Sequence, residues 1–166
     1  MQAEHGLPQL LSFTIPGLPG TKFAIPLLEV AEIVRALPVT SVPFAPFYVQ
    51  GISEWKEYII PVIDLAAVLC QHPFPPLYTS PYYLVAQFVS GTTLHTLAYP
   101  IQNGASALLV PNQLPLAPSP LNLSPGLIHA AVLLNQEPVV LINLAELAAP
   151  PTVARVPREP DSSLHS

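Results

Sequence analysis

Few side chains in this 166-residue chain could do chemistry, and their spacing decides what chemistry that would be. Cys70 and His72 stand two residues apart, a pairing that a thiolate–imidazole nucleophile could use. They lie in a proline-bounded stretch, where a small apolar residue beside a solvated imidazole is the plainer reading. His95 and His129 could ligate a metal, but neither has a second ligand at a recognisable local spacing. His95 alternates in step with Leu97 and Tyr99, as a packed or boundary histidine does. Asp64 is the sole formal charge between Glu57 and Glu137. It could act as an acid, yet it precedes Leu65 to Leu69 where a helix N-cap belongs, its carboxylate accepting an orphan N–H. No glycine-rich phosphate loop, H-E-x-x-H or G-x-S-x-G occurs. These residues point away from an enzyme, and no cofactor or metal is expected.

The composition narrows the class further. Charged residues make up 9% of the chain, against about 25% in an ordinary domain. Hydrophobic residues reach 51%, which excludes intrinsic disorder. There are 23 prolines, so long helices cannot dominate: an interior proline removes a hydrogen bond and clashes with the preceding turn. With five Lys and Arg and a net charge of −5, no basic stripe exists to hold phosphates, and nucleic acid is excluded as a partner. The richest apolar stretch, Tyr58 to Cys70, is broken by Pro61 and Asp64, so direct membrane insertion is not expected. The first cation is Lys22, which leaves no basic n-region of a secretory signal. One cysteine cannot form an internal disulfide, and a cytoplasmic location is expected.

The elements that must position these residues are mostly strands. Leu11, Phe13 and Ile15 alternate with polar neighbours, a Pro-Gly turn follows, and Phe23, Ile25 and Leu27 alternate again, predicting a hairpin. Over Leu28 to Val34 the apolar residues fall at helical spacing with Glu29 and Glu32 opposite, predicting a two-turn helix or, in the alternative, an extended segment. Val49 to Trp55 alternates, Lys56-Glu57 is a polar break, and Tyr58 to Ile63 is a continuous apolar strand. Residues 71–81 form a proline-rich linker between halves, Tyr82 to Val89 and His95 to Ile101 are strand-like, and 111–126 should be a long loop. Leu127–Leu134 and Val139–Ile142 predict another hairpin, with Asn143 to Glu146 a capping box in outline. Shifting the chain by 79 residues places Val49 on Ile128, Lys56 on Asn135, Ile63 on Ile142 and Asp64 on Asn143. Strand, polar turn, strand, cap and short helix recur in order, which suggests two similar β units. Closing such sheets into barrels removes exposed edges.

The segment Leu37-Pro38-Val39-Thr40-Ser41-Val42-Pro43-Phe44-Ala45-Pro46-Phe47-Tyr48-Val49-Gln50-Gly51, followed by Ile60-Pro61-Val62-Ile63-Asp64-Leu65, resembles the CheW family. That family carries V-T-x-V-P-x-x-P-x-x-x-x-G, an N-L-R-G turn and a P-V-x-D-L strand end. Val30-Ala31-Glu32-Ile33 also matches its V-x-E-I. The resemblance spans about residues 10–148 and is strongest over 28–69. It implies a mainly β fold of two intertwined five-stranded SH3-like barrels with short helices, between a flexible start at 1–9 and a flexible proline-rich tail at 149–166. It also implies a non-enzymatic adaptor that couples the cytoplasmic tip of a methyl-accepting chemoreceptor to the regulatory domain of a CheA-type histidine kinase, in chemotaxis or pilus-type signalling. Kinase contact in the family uses an apolar face of one barrel, and the location implied is cytoplasmic, at membrane-associated receptor arrays.

Family contacts fall on Val30, Glu32, Ile33, Gly51 and Lys56, to which Trp55 is added because an aromatic near a turn is a common interface anchor. Each also has a plainer reading: Trp55, Val30 and Ile33 as core, Lys56 as a solvated turn. The family's turn arginine is Lys56 here, which keeps charge but loses the planar fork. Its following glycine is Glu57, so any left-handed backbone there must be met by a glutamate. Two other readings stay open. One is a divergent CheW-like structural paralogue with a single or self partner. The other is a small-ligand-binding β-barrel protein or hydrolase, which would need a concave pocket with convergent polar groups.

Overall fold

The computed structural model describes residues 9–74, 82–102, 105–110, 114–118 and 123–147. The expected flexible start and tail therefore lie outside the described residues, except for Gln9, which opens the first strand. Among the described residues, ten strands form two five-stranded sheets. The strands are β1 (Gln9–Ile15), β2 (Leu18–Pro26), β3 (Val30–Arg35), β4 (Val49–Trp55), β5 (Tyr58–Ile63), β6 (Tyr82–Ser90), β7 (Thr93–Ile101), β8 (Ser106–Leu109), β9 (Ile128–Leu134) and β10 (Glu137–Ile142). Helix α1 (Leu65–Cys70) follows β5, and α2 (Leu144–Leu147) follows β10.

One sheet runs β8-β1-β2-β10-β9, the other β3-β6-β7-β5-β4. Each has antiparallel neighbours except for one parallel contact, β2 with β10 and β5 with β7. The first sheet takes strands from both ends of the chain, so the halves are intertwined and 71–81 does not divide them. The chain is mainly β with two mixed five-stranded sheets, as the resemblance implies.

Both faces of the central strands are buried, which explains their apolar runs. Leu11, Phe13, Ile15, Phe23 and Ile25 meet Leu84, Ala86, Phe88, Leu97, Tyr99 and Ile101 in one shared core between the sheets. The opposite faces fill smaller cores: Leu10, Ala24, Val132 and Val139 in one sheet, and Trp55, Ile60, Val62, Val85 and Ala98 in the other.

The 79-residue repeat is present in three dimensions. Lys56-Glu57 and Asn135-Gln136 are both two-residue hairpin turns with positive φ at both positions (49° and 70°; 54° and 67°), the pattern of type I′ turns. Gln50 is the extra residue of a register shift on β4, and His129 is its counterpart on β9. The Asp64 N–H donates to the Tyr48 carbonyl at 2.7 Å, and the Asn143 N–H to the Leu127 carbonyl at 3.0 Å.

Of the two readings of Leu28 to Val34, the helix is not formed and the extended segment is. A single 3-10 turn at Leu27–Glu29 passes directly into β3. Three β-branched residues among six favour a strand once β6 offers a ladder. Ala31 is an extra residue in that ladder, and this bulge changes the phase of the strand. Val30 packs on the shared core, whereas Val34 packs into the core around Trp55.

Candidate interaction surface

Trp55 ends β4, the outer strand of its sheet, and Glu32 lies on β3, the outer strand at the other side. The two are brought together because the sheet curls: the Trp55 Nε1–H donates to Glu32 Oε1 at 3.0 Å. Lys56 Nζ stands 3.9 Å from the same oxygen and 5.1 Å from the centre of the Trp55 ring. Trp55 is only 8% exposed, its ring set among Ile60, Val62, Val85 and Ala98 with Val34, Leu37, Val39 and Tyr83 around them. One side chain thus plugs the barrel end and presents a polar edge, while Lys56 and Glu32 carry exposed charge above it. Exposed ion pairs contribute little to stability, roughly 0–1 kcal/mol, so the Lys56–Glu32 contact does little to hold the fold.

Of the six residues singled out in the sequence, Glu32, Trp55 and Lys56 converge in this cluster. Ile33 follows Glu32 on β3 and is exposed, on the opposite face of the strand. Val30 is half-buried against the shared core. Gly51 is buried, and a Cβ there would fall on the Thr40 carbonyl oxygen. That contact exists because residue 40 pairs with β4: Thr40 N–H donates to the Ile52 carbonyl at 2.8 Å and Ile52 N–H to the Thr40 carbonyl at 2.9 Å. Tyr58 faces Trp55 across the turn and is exposed, as is Ile59 beside it.

The residues considered for chemistry take other roles. Asp64 caps α1, accepting from the Ala67 N–H at 3.2 Å; burial raises its pKa, which the Ala67 and Ala66 amides partly offset. Burial and then the charge of Asp64 raise the Cys70 thiol's pKa, which disfavours the nucleophilic thiolate. His72 directs Nδ1 to the Pro73 carbonyl at 3.0 Å and stacks on Phe74. His95 stacks on Phe88. Among the described residues no three His, Cys, Asp or Glu side chains group as metal ligands, and no helix is long and apolar enough to cross a membrane.

Sequence reasoning missed two features. Glu29 Oε1 and the hydroxyls of Tyr48 and Tyr99 are buried without a hydrogen-bond partner among the described residues. Burial raises the pKa of Glu29, and burial followed by the charge of Glu29 pushes Tyr99 well above the usual phenol range. Phe44 is fully exposed at a positive φ of 63°. A phenylalanine in a proline-rich loop carries no pattern that separates an exposed ring from a packed one.

The model of the CheW-like domain matches residues 9–152. A probable chemotaxis protein CheW from Rhizobium etli is 34% identical over 73 residues, which is 44% of this chain and 45% of that protein. The chain thus matches less than half the length of this relative. The crystal structure of the scaffolding protein TtCheW from Thermoanaerobacter tengcongensis superposes with a TM-score of 0.67 at 16% identity, covering 83% of this chain and 85% of that one, and supports the fold. Family pattern, paired five-stranded sheets and a matching domain model across all the described residues agree: this chain belongs to the CheW-like domain family.

Proposed function

We propose that this protein is a non-enzymatic cytoplasmic scaffold that couples a methyl-accepting chemoreceptor to the regulatory domain of a CheA-type histidine kinase at receptor arrays. The observation that carries this reading is the Glu32–Trp55–Lys56 cluster. Glu32 and Lys56, which align with the family's contact residues, and Trp55, singled out as an aromatic beside the turn, meet at one barrel end, with charge exposed over an aromatic plug. The shared core makes the two barrels one rigid body, so partners bound to it are held at fixed distance and orientation. Coupled binding, not bond-making, then transmits the signal. The receptor tip is assigned to the cluster, with Val30, Ile33 and Gly51 as its supporting residues.

Lys56→Glu tests the assignment, because Lys56 is an exposed turn residue whose loss spares the core. The substitution sets a carboxylate beside Glu32 and is expected to weaken receptor-fragment binding at least tenfold, with the melting temperature nearly unchanged. Titration with a purified receptor cytoplasmic fragment measures the affinity, and a thermal melt of each protein measures the stability. Unchanged affinity would remove the cluster from the receptor interface.

A further inference from the structure

The 3-10 turn that leads into β3, Leu27–Glu29, is packed inside out. Leu28 is 97% exposed, while Glu29 turns a carboxylate oxygen, Oε1, into the protein, where it has no hydrogen-bond partner among the described residues. The Tyr99 hydroxyl is buried and equally unpartnered, and it lies close enough to feel the Glu29 charge. Ordinary turns do the reverse, with the leucine inside and the acid in water. A buried carboxylate without a donor or a cation is strongly disfavoured, whereas its protonated form is tolerated. Few other ionisable groups stand near. β1 carries none, and Lys22 on β2 is tied to Glu137. On β6, Tyr82 and Tyr83 pair with Arg35 and Val34 at the far end of β3. β7 brings Tyr99 and His95, the latter stacked on Phe88, and α2, which packs on β6, carries Glu146.

The turn is held lightly and sits where movement would matter. Leu27 and Val30 pack on the shared core at its two ends. One backbone bond, from the Val30 N–H to the Leu27 carbonyl, closes it, without a side-chain cap. Segments with so few contacts open at little cost. Leu28 and Glu29 can therefore exchange places between two fixed ends. Beyond Val30 comes the Ala31 bulge and then Glu32, whose Oε1 accepts from the Trp55 indole. A bulge is where a strand takes up a change of phase, so a twist of the turn reaches Glu32.

We propose that Leu27–Glu29 is a proton-operated switch on the receptor-binding cluster. With the Glu29 carboxyl protonated, the turn keeps its inverted packing and β3 holds Glu32 on Trp55. When the proton leaves for solvent, the carboxylate follows it into water, Leu28 takes its place beside Tyr99, and β3 releases Glu32. Burial pushes the Glu29 carboxyl up. The tucked-in form is therefore complete below the ordinary glutamate value, about 4.3, and is lost as pH rises through the raised value. Receptor binding weakens in the same direction. This deepens the scaffold reading and rests on it, because only there does the cluster belong to the receptor.

Two measurements on the full chain test the switch: Trp55 fluorescence from acid to mildly alkaline pH, and affinity for a purified receptor cytoplasmic fragment over the same range. Trp55 is the single tryptophan and its indole bonds Glu32, so its spectrum reports the cluster. Wild type is expected to show a transition above the ordinary glutamate range, with affinity falling roughly 5- to 10-fold through it, a usual size for coupling between sites. Glu29→Gln, a neutral stand-in for the protonated acid, should match wild type at the acid end and hold that affinity, with no Trp55 transition. Titration of the fragment itself is common to both proteins, so their difference isolates Glu29. Leu28→Ser removes the apolar replacement and should move the transition to higher pH. A merely structural Glu29 would change the melting temperature and leave both pH profiles alone. A flat Trp55 signal in wild type overturns the switch. The same transition in wild type and Glu29→Gln assigns it to another group, such as His95, and overturns it as well. So does a Trp55 transition across which receptor affinity stays level. Leu28→Ser that weakens binding equally at every pH makes Leu28 a receptor contact and overturns the exchange. In all four cases receptor binding persists and the scaffold reading stands. A Glu29-dependent Trp55 transition in a protein that binds no receptor fragment at any pH overturns the scaffold reading instead, while the exchange of Leu28 and Glu29 survives.

Discussion

Lys56 and Glu57 occupy left-handed backbone with φ of 49° and 70°, a conformation that suits Asn-Gly and strains most other pairs. The strand pairing of Trp55 with Tyr58 fixes this two-residue loop, so the strain persists because β4 and β5 hold it. Glu57→Gly is expected to stabilise the chain by about 1 kcal/mol, the order of the penalty for one L-residue in that region. Urea denaturation of the two proteins measures the difference, and a loss of stability would show that the glutamate side chain makes a contribution of its own. Glu29 offers a second test. Its carboxyl is pushed up by burial, and Oε1 has no hydrogen-bond partner among the described residues. A carboxyl raised in the folded state disfavours folding once ionised. Its penalty is absent below the ordinary glutamate value, about 4.3, and grows as pH rises from there through the folded-state value. Glu29→Gln should accordingly be more stable than wild type at neutral pH, with the advantage shrinking as pH falls. Thermal melts of both proteins from acid to neutral pH follow this, and curves that stay parallel would sink it.

At the scale of elements, β4 is an outer strand whose free edge is covered by the chain that precedes it. Thr40 pairs with Ile52, and the Ser53 hydroxyl donates to the Pro38 carbonyl. Gly51 lets this segment approach: a Cβ would meet the Thr40 carbonyl and crowd Val39 Cγ1. Gly51→Ala should destabilise the protein by about 1–3 kcal/mol, the usual range for forced overpacking. Faster hydrogen exchange at the Thr40 and Ile52 amides should accompany the loss. Protection unchanged at both amides would show that the loop is held by other contacts. Most of these elements were legible in the sequence. Alternation marked β1, β2, β4 and β7, and the 79-residue offset matched strands, polar turns and caps. The offset could not reveal that β2 pairs with β10, because sequence periodicity carries no information on parallel partners. The segment around Glu32 misled because Val30, Ala31 and Val34 satisfy a helical spacing, whereas a bulge at Ala31 lets the same residues serve two cores in a strand. The convergence of Glu32 with Trp55 and Lys56 depends on the sheet curling shut, so the family motif named Glu32 and Lys56, and the turn position singled out Trp55, without showing that they touch.

At the scale of the whole molecule, the shared core is the main tie between the sheets. Phe23 on β2 stacks against Phe13, which in turn meets Tyr99 on β7 of the other sheet. Phe23→Ala should cost about 3–5 kcal/mol and lower the unfolding midpoint seen by Trp55 fluorescence, although Trp55 lies in the other sheet. The chain has one tryptophan, so that signal reports its barrel alone. A Trp55 transition that stays in place while far-ultraviolet dichroism shifts would show that the barrels unfold separately. The parallel contact of β2 with β10 also has a bearing on biosynthesis. Lys22 and Glu137 close it with an ion pair of 3.1 Å between strands made about 110 residues apart. At ribosomal speeds that interval is roughly 5–20 s. Through that delay the early hairpin emerges with Phe13, Phe23 and Ile25 uncovered, so the nascent chain is an expected client of holdase chaperones until its last strand arrives.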